Sequence, residues 1–256
     1  MTAHATSSGG TRVAATRHAG IVAAVAACAM ALAWAPAPAP AQAAPGAASA
    51  GEAISEAERL VFMHPHLATL RPPRTLTYAY TVETAGARGA PDRATLAVRP
   101  RADGGCCAVH ADYLSGELAV HLPDLDDASA NPLFLYFLES EVRRLQRTTN
   151  GQAAHFRRQI RMALATTARV SDVAVRWNGK DVPGHAVRVA PFLDDPYRPR
   201  FEREATTEYV FLLSDDVPGG VAALSAAVPD PSAPDVPLER RRLVLEDPQP
   251  APPAKP

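Results

Sequence analysis

From Thr75 to Val82 the chain alternates without a break. Leu76, Tyr78, Tyr80 and Val82 fall on one side, and Thr75, Thr77, Ala79 and Thr81 on the other. Side chains of an extended strand point to opposite faces in turn, so this period of two predicts a strand with one apolar face. Such a strand needs partners along its edges and an apolar layer over its face. The neighbouring sequence offers both. Gly86 and Gly89 mark a turn, Ala94, Leu96 and Val98 a returning strand, and Cys106 to His110 and Glu117 to Leu122 two more strands parted near Gly116. Ser55 is placed to cap a short helix running to Phe62, which Pro65 ends.

The period changes after Asn131. Asn131 suits a helix cap and Pro132 a first helical position, where its missing N–H costs nothing. Phe134, Leu138, Val142 and Leu145 then recur at helical spacing, as do Phe156, Ile160 and Leu164 beyond the stop at Asn150-Gly151. A helical hairpin is expected over 131–167. Strands resume at Val173, Val175 and Trp177. Asn178-Gly179 is a two-residue hairpin signal, because both residues tolerate the positive φ of a type I′ turn. Val187 and Val189, then Tyr209, Phe211 and Leu213, extend the sheet. Gly220 to Val228 reads as a short helix, and Leu243 and Leu245 as a marginal last strand. The expected fold class is α+β: a curved, mainly antiparallel sheet packed against a central helical hairpin.

The N-terminal segment has its own logic. Arg12, Arg17 and His18 precede an apolar run from about Ala19 to Ala35, and Ala41-Gln42-Ala43 fits a small-x-small cleavage rule. Residues 1–43 are therefore read as a secretory signal peptide, ahead of an uncleaved anchor or of a lipoprotein box at Cys28. Residues 44–54 are expected to be a disordered leader, 55–246 a single domain and 247–256 a proline-rich disordered tail. Losing residues 1–43 removes two arginines and leaves 24 basic against 27 acidic residues, a formal charge of −3. That balance argues against nucleic acid as a partner. Beyond the signal no apolar stretch is long enough to span a bilayer. The expected location is the periplasm or outside the cell.

The candidate chemistry is sparse. Cys106 and Cys107 are adjacent and are the only cysteines left after cleavage. They read first as unpaired structural thiols, then as a vicinal or intermolecular disulfide, and lastly as part of a metal or redox site. Met63, His64 and His66 offer soft sulfur and imidazole, and with Cys106 and Cys107 form the one candidate copper or thiol centre. No zinc-protease, nucleophile-elbow or phosphate-loop pattern is present. The chain is read as a non-enzyme with no cofactor. Arg144, Arg147, Arg158 and Arg161 gather on the two central helices, where they suit an acidic partner or a solvated face.

The signal sequence, the strand at Leu76–Val82 and the helical block Asn131–Thr167 together resemble the periplasmic lipoprotein-carrier family. The resemblance is one of element order and extends to no motif residue. It implies a curved sheet covered by helices and an enclosed apolar cleft. Tyr78, Tyr80, Phe134 and Phe137 are the residues expected to line that cleft. The leading functional expectation is a non-enzymatic periplasmic binding or carrier protein for an apolar ligand or an exported polypeptide. The alternatives are an envelope structural or adaptor protein using the arginine face, and a copper- or thiol-dependent protein.

Overall fold

The computed structural model describes residues 53–84, 87–233 and 236–246. The expected signal peptide, most of the leader and the tail lie outside the described residues. Ser55 opens α1 (Glu56–Glu58) with a capping box: its Oγ accepts the Glu58 N–H, and Glu58 accepts the Ser55 N–H. A π-helical turn continues through Arg59–Met63 and buries Val61. The Ser55 hydroxyl also donates to the Leu164 carbonyl at 3.0 Å, tying this corner to the second long helix.

The strands are β1 (Arg74–Thr84), β2 (Ala87–Arg88), β3 (Asp92–Pro100), β4 (Cys106–Tyr113), β5 (Arg169–Trp177), β6 (Lys180–Val189), β7 (Glu208–Leu213), β8 (Val221–Val228) and β9 (Glu239–Leu245). They form one sheet in the order β4-β3-β1-β9-β8-β7-β6-β5, with β2 added to β1, and every pairing is antiparallel. Between β4 and β5 come the helices α2 (Leu133–Thr149) and α3 (Ala153–Thr166). The fold class is therefore α+β, with a curved antiparallel sheet packed against paired helices. Asn150, at φ 53°, closes α2 in the left-handed conformation that an asparagine tolerates. Among the described residues no helix is long and apolar enough to cross a membrane.

The core lies between the helices and one sheet face. Phe134 and Phe137 of α2 meet Phe211 of β7 edge to face, at ring-centroid distances of 5.7 and 6.2 Å. Leu76, Tyr78 and Tyr80 of β1 are buried on that face, as their alternation predicts. Each aromatic removes a large apolar area from water, and edge-to-face pairing adds a further fraction of a kcal/mol.

Three expectations are corrected. Glu117–Leu122 is not a strand. Leu114 and Gly116 both have positive φ, Ser115 donates twice to Asp92, and a 3-10 turn follows at Gly116–Leu118. Gly220–Val228 is not a helix but β8, paired on both sides between β7 and β9. Its sequence, Val-Ala-Ala-Leu-Ser-Ala-Ala-Val, is compatible with either state locally, and its neighbours decide the outcome. The last strand is not marginal: β9 lies between β1 and β8 and joins the two halves of the sheet.

That central strand carries Arg241, a guanidinium only 2 % exposed. Arg241 donates to both carboxylate oxygens of Glu141 on α2, at 2.7 and 2.9 Å, and also contacts Glu239. Glu141 further pairs with Arg144, which reaches Glu204 at 2.8 Å, while Arg203 touches Glu204 and Glu239. Burial alone would raise the Glu141 pKa, but Arg241 and Arg144 outweigh it and hold the carboxyl below its usual range. The network is balanced in sign and links helix, sheet and the 198–206 segment.

Candidate functional site: a histidine-lined cleft beside an edge strand

The residues expected to line an apolar cleft are closed off. Tyr78, Tyr80, Phe134 and Phe137 are between 0 and 5 % exposed and form the core itself. Tyr78 is satisfied by the Asn131 amide, which donates to its hydroxyl at 3.3 Å, and burial pushes both tyrosine pKa values up, that of Tyr80 to about 12. An open cleft of about 370 Å³ lies elsewhere, between the π-helical turn, the β5–β6 hairpin and the β7–β8 turn. Leu60, Val173 and Leu213 supply its apolar wall, and Asp172, Asp215 and Asp216 its acids.

Two of its histidines sit on the loop after the π-helical turn. His64 Nε2 lies 2.7 Å from Asp215 Oδ1 across the cleft. His66 is buried and its Nδ1 accepts the Asn131 N–H at 3.2 Å. With Nδ1 accepting, the neutral ring carries its proton on Nε2. That Nε2 has no hydrogen-bond partner; the Leu60 carbonyl raises the pKa without meeting hydrogen-bond geometry. Burial foremost, and then His64, lower the His66 pKa to about 4, so the ring is neutral at ordinary pH. A third histidine, His185 of β6, places Nδ1 3.0 Å from Asp172 on β5.

Asn131 organises this corner, a role its sequence reading as a cap only partly captures. Its N–H holds His66, its Oδ1 accepts the Leu133 N–H at the start of α2, and its Nδ2 donates to Gly219 O at 2.8 Å. The β7–β8 turn can approach because Gly219 and Gly220 both have positive φ. A Cβ on Gly220 would stand 2.6 Å from the His66 ring. A Gly-Gly pair after Pro218 signals a turn; that it shelters a histidine 154 positions earlier has no local signal.

The proposed copper or thiol centre does not assemble. Among the described residues no group of three or more His, Cys, Asp or Glu side chains is arranged to hold a metal ion. Cys106 and Cys107 lie side by side at the start of β4, by the Leu67 carbonyl. His64 turns to Asp215 and His66 to Asn131, while Met63 is exposed.

The four arginines also separate. Arg144 belongs to the buried network, because one turn of α2 places it over Glu141 and Glu204. Arg147, Arg158 and Arg161 are exposed, and none makes an ion pair among the described residues. Arg157, between them, is held by a two-pronged contact to Glu139 that fastens α3 to α2. A second open cavity, of about 380 Å³, lies at the α2–α3 turn beside His155, Tyr197 and Arg200. There the buried Asp195 carboxylate holds the His155 ring at 2.6 Å.

The protein thus belongs to the α+β class with a helix-backed antiparallel sheet. No protein-family model matches the chain, and no curated protein matches it. Among solved structures, a chain of the Pseudomonas aeruginosa MucA/MucB complex is similar at 15 % identity with a TM-score of 0.31. The match covers 75 % of this chain and 56 % of that one. Similarity at that level carries no functional argument.

Proposed function

We propose that this chain is a non-catalytic binding protein of the cell envelope whose partner is a polypeptide, taken at the cleft beside β5. Burial of Tyr78, Tyr80, Phe134 and Phe137 carries the reading. An acyl chain reaches those rings only if α2 leaves the sheet, which would break the Glu141–Arg241 pair as well. Of the two open cavities, the one beside β5 has an apolar wall and an acidic rim, suited to one basic side chain of a polypeptide and its flanking backbone. The envelope location rests on the export signal read in residues 1–43.

A second polypeptide surface is favoured by one observation, the exposed trio Arg147, Arg158 and Arg161. A photo-crosslinking residue placed in vivo at Asp216, on the cleft rim, or at Arg158, on the helices, separates the two. A polypeptide adduct from Asp216 that Asp215→Asn abolishes supports the cleft. Adducts from Arg158 alone move the site to the helices. Stoichiometric lipid in an organic extract of the purified protein, with no adduct at either position, would overturn the polypeptide reading in favour of an apolar-ligand carrier.

A further inference from the structure

The two ends of the sheet are finished differently. Along β4 the segment after Gly116 folds back and occupies the edge. Val109 and Leu125 exchange backbone hydrogen bonds at 2.7 and 3.0 Å, Val120 donates to Tyr113, and Ala128 donates to Cys107. At the other end β5 pairs with β6 alone among the described residues. Nine residues of strand are long for an uncovered edge, since unpaired backbone groups are a template for another chain.

The hairpin register fixes which groups face outward. The residues flanking a two-residue turn form a hydrogen-bonded pair, here Trp177 and Lys180, and such pairs alternate along an antiparallel ladder. Val175, Val173 and Ser171 therefore bond inward to Val182, Gly184 and Ala186. Pro183, which has no N–H to give, falls opposite Ala174 at a position that needs none. The N–H and C=O groups of Val170, Asp172, Ala174 and Arg176 point away from β6. No described backbone group outside the strand bonds to them.

We infer that β5 pairs antiparallel with β5 of a second copy of this chain, across a two-fold axis at Ala174. Charges on an edge strand ordinarily keep it single. Here they are self-complementary. With Ala174 opposite its own copy, Asp172 stands across from Arg176 of the second copy, and Arg176 across from Asp172. Val173 then faces Val175 of the second copy on the other side of the sheet. The Asp172 and Arg176 side chains are 93 % and 68 % exposed, so both are free to reach across. Their contacts within the chain, to His185 and Asp181, are surface pairs of low worth. The small Ala174 keeps the axis clear, and a C2 interface of this kind is closed rather than fibre-forming.

Sedimentation equilibrium on the full chain lacking residues 1–43 tests the pairing. The unmodified protein is expected to be a dimer, with amides 170, 172, 174 and 176 gaining hydrogen-exchange protection as concentration rises. Asp172→Arg sets arginine against arginine twice and should weaken the dimer by about tenfold or more. Adding Arg176→Asp restores opposite charges and should recover it. Ala174→Pro removes only an outward N–H, which an edge strand tolerates, and should leave a folded monomer. A monomer at every concentration overturns the inference, as does a dimer that survives Ala174→Pro or one that the charge swap fails to rescue. Polypeptide capture at Asp216 is read independently, by the crosslink.

Discussion

His66 is a buried, neutral histidine held by one backbone N–H, and its chemistry sets a direction for acid stability. Above pH 6.5 both folded and unfolded states hold it neutral. Between 6.5 and about 4 the unfolded chain binds a proton that the folded chain refuses, so stability falls as the pH drops. The loss attributable to this residue is about 3 kcal/mol once pH 4 is reached. His66→Gln keeps an acceptor for Asn131 without the titration. Denaturant melts from pH 7 to 4 should show a shallower decline for the variant; parallel declines would remove His66 as the cause. Glu141 is the other decisive residue. Glu141→Gln leaves Arg241 and Arg144 buried beside a neutral partner and should cost about 3–5 kcal/mol of unfolding free energy. The pair Glu141→Leu/Arg241→Met should lose less than Glu141→Gln alone, because no unpaired charge stays at their contact. Neither residue announces itself in the sequence. Glu141 looks like one acid of a polar helix face, and Arg241 is one of three consecutive arginines whose burial depends on strand parity.

Elements with a strong local pattern form where the periodicity places them. β1 follows its alternation, α2 and α3 their apolar spacing, and the β5–β6 hairpin its Asn178-Gly179 turn, with φ of 49° and 72°. β8 goes the other way, since an Ala-rich segment has no strong period and takes the state its neighbours impose. Linkers divide by physical cause. Gly179 needs its positive φ, so Gly179→Ala should destabilise by about 1 kcal/mol through backbone strain. Gly151 has room trouble instead: an added Cβ would lie 2.5 Å from Phe156 Cζ. Gly151→Ala should cost about 1–3 kcal/mol by overpacking, and Gly151→Ala/Phe156→Leu should recover part of that in urea unfolding. No recovery in the Phe156→Leu background would mean that the α2–α3 link is strained for another reason.

On the scale of the molecule, β9 closes a sheet whose halves are separated by two helices in sequence. Tyr78 of β1 pairs with Leu245, and Leu224 of β8 with Leu243. A contact as distant along the chain as Tyr78–Leu245 forms only after much loop-closure entropy is lost, so the two halves are expected to fold as one unit. Equilibrium unfolding followed at Trp177, near the β5 end, and by far-ultraviolet dichroism should therefore give one coincident transition. Two midpoints would show that the β5–β8 half melts apart from the rest. The export expectation is tested at the same scale: the intact mass of secreted protein should correspond to a chain starting near Ala44.

Periodicity, capping and turn chemistry are properties of neighbouring residues, so the sequence by itself determined the strand faces, the helical hairpin, the Asn178-Gly179 turn and hence the α+β class. It also placed Tyr78, Tyr80, Phe134 and Phe137 together, although in a sealed core rather than a cleft. Only the tertiary structure decided the strand order, the burial of Arg241, the shelter of His66 under Gly220 and a β5 edge left uncovered among the described residues. Each of these depends on backbone or charge brought from a distant part of the chain, and the free energy that fixes it exists only once both parts are in contact.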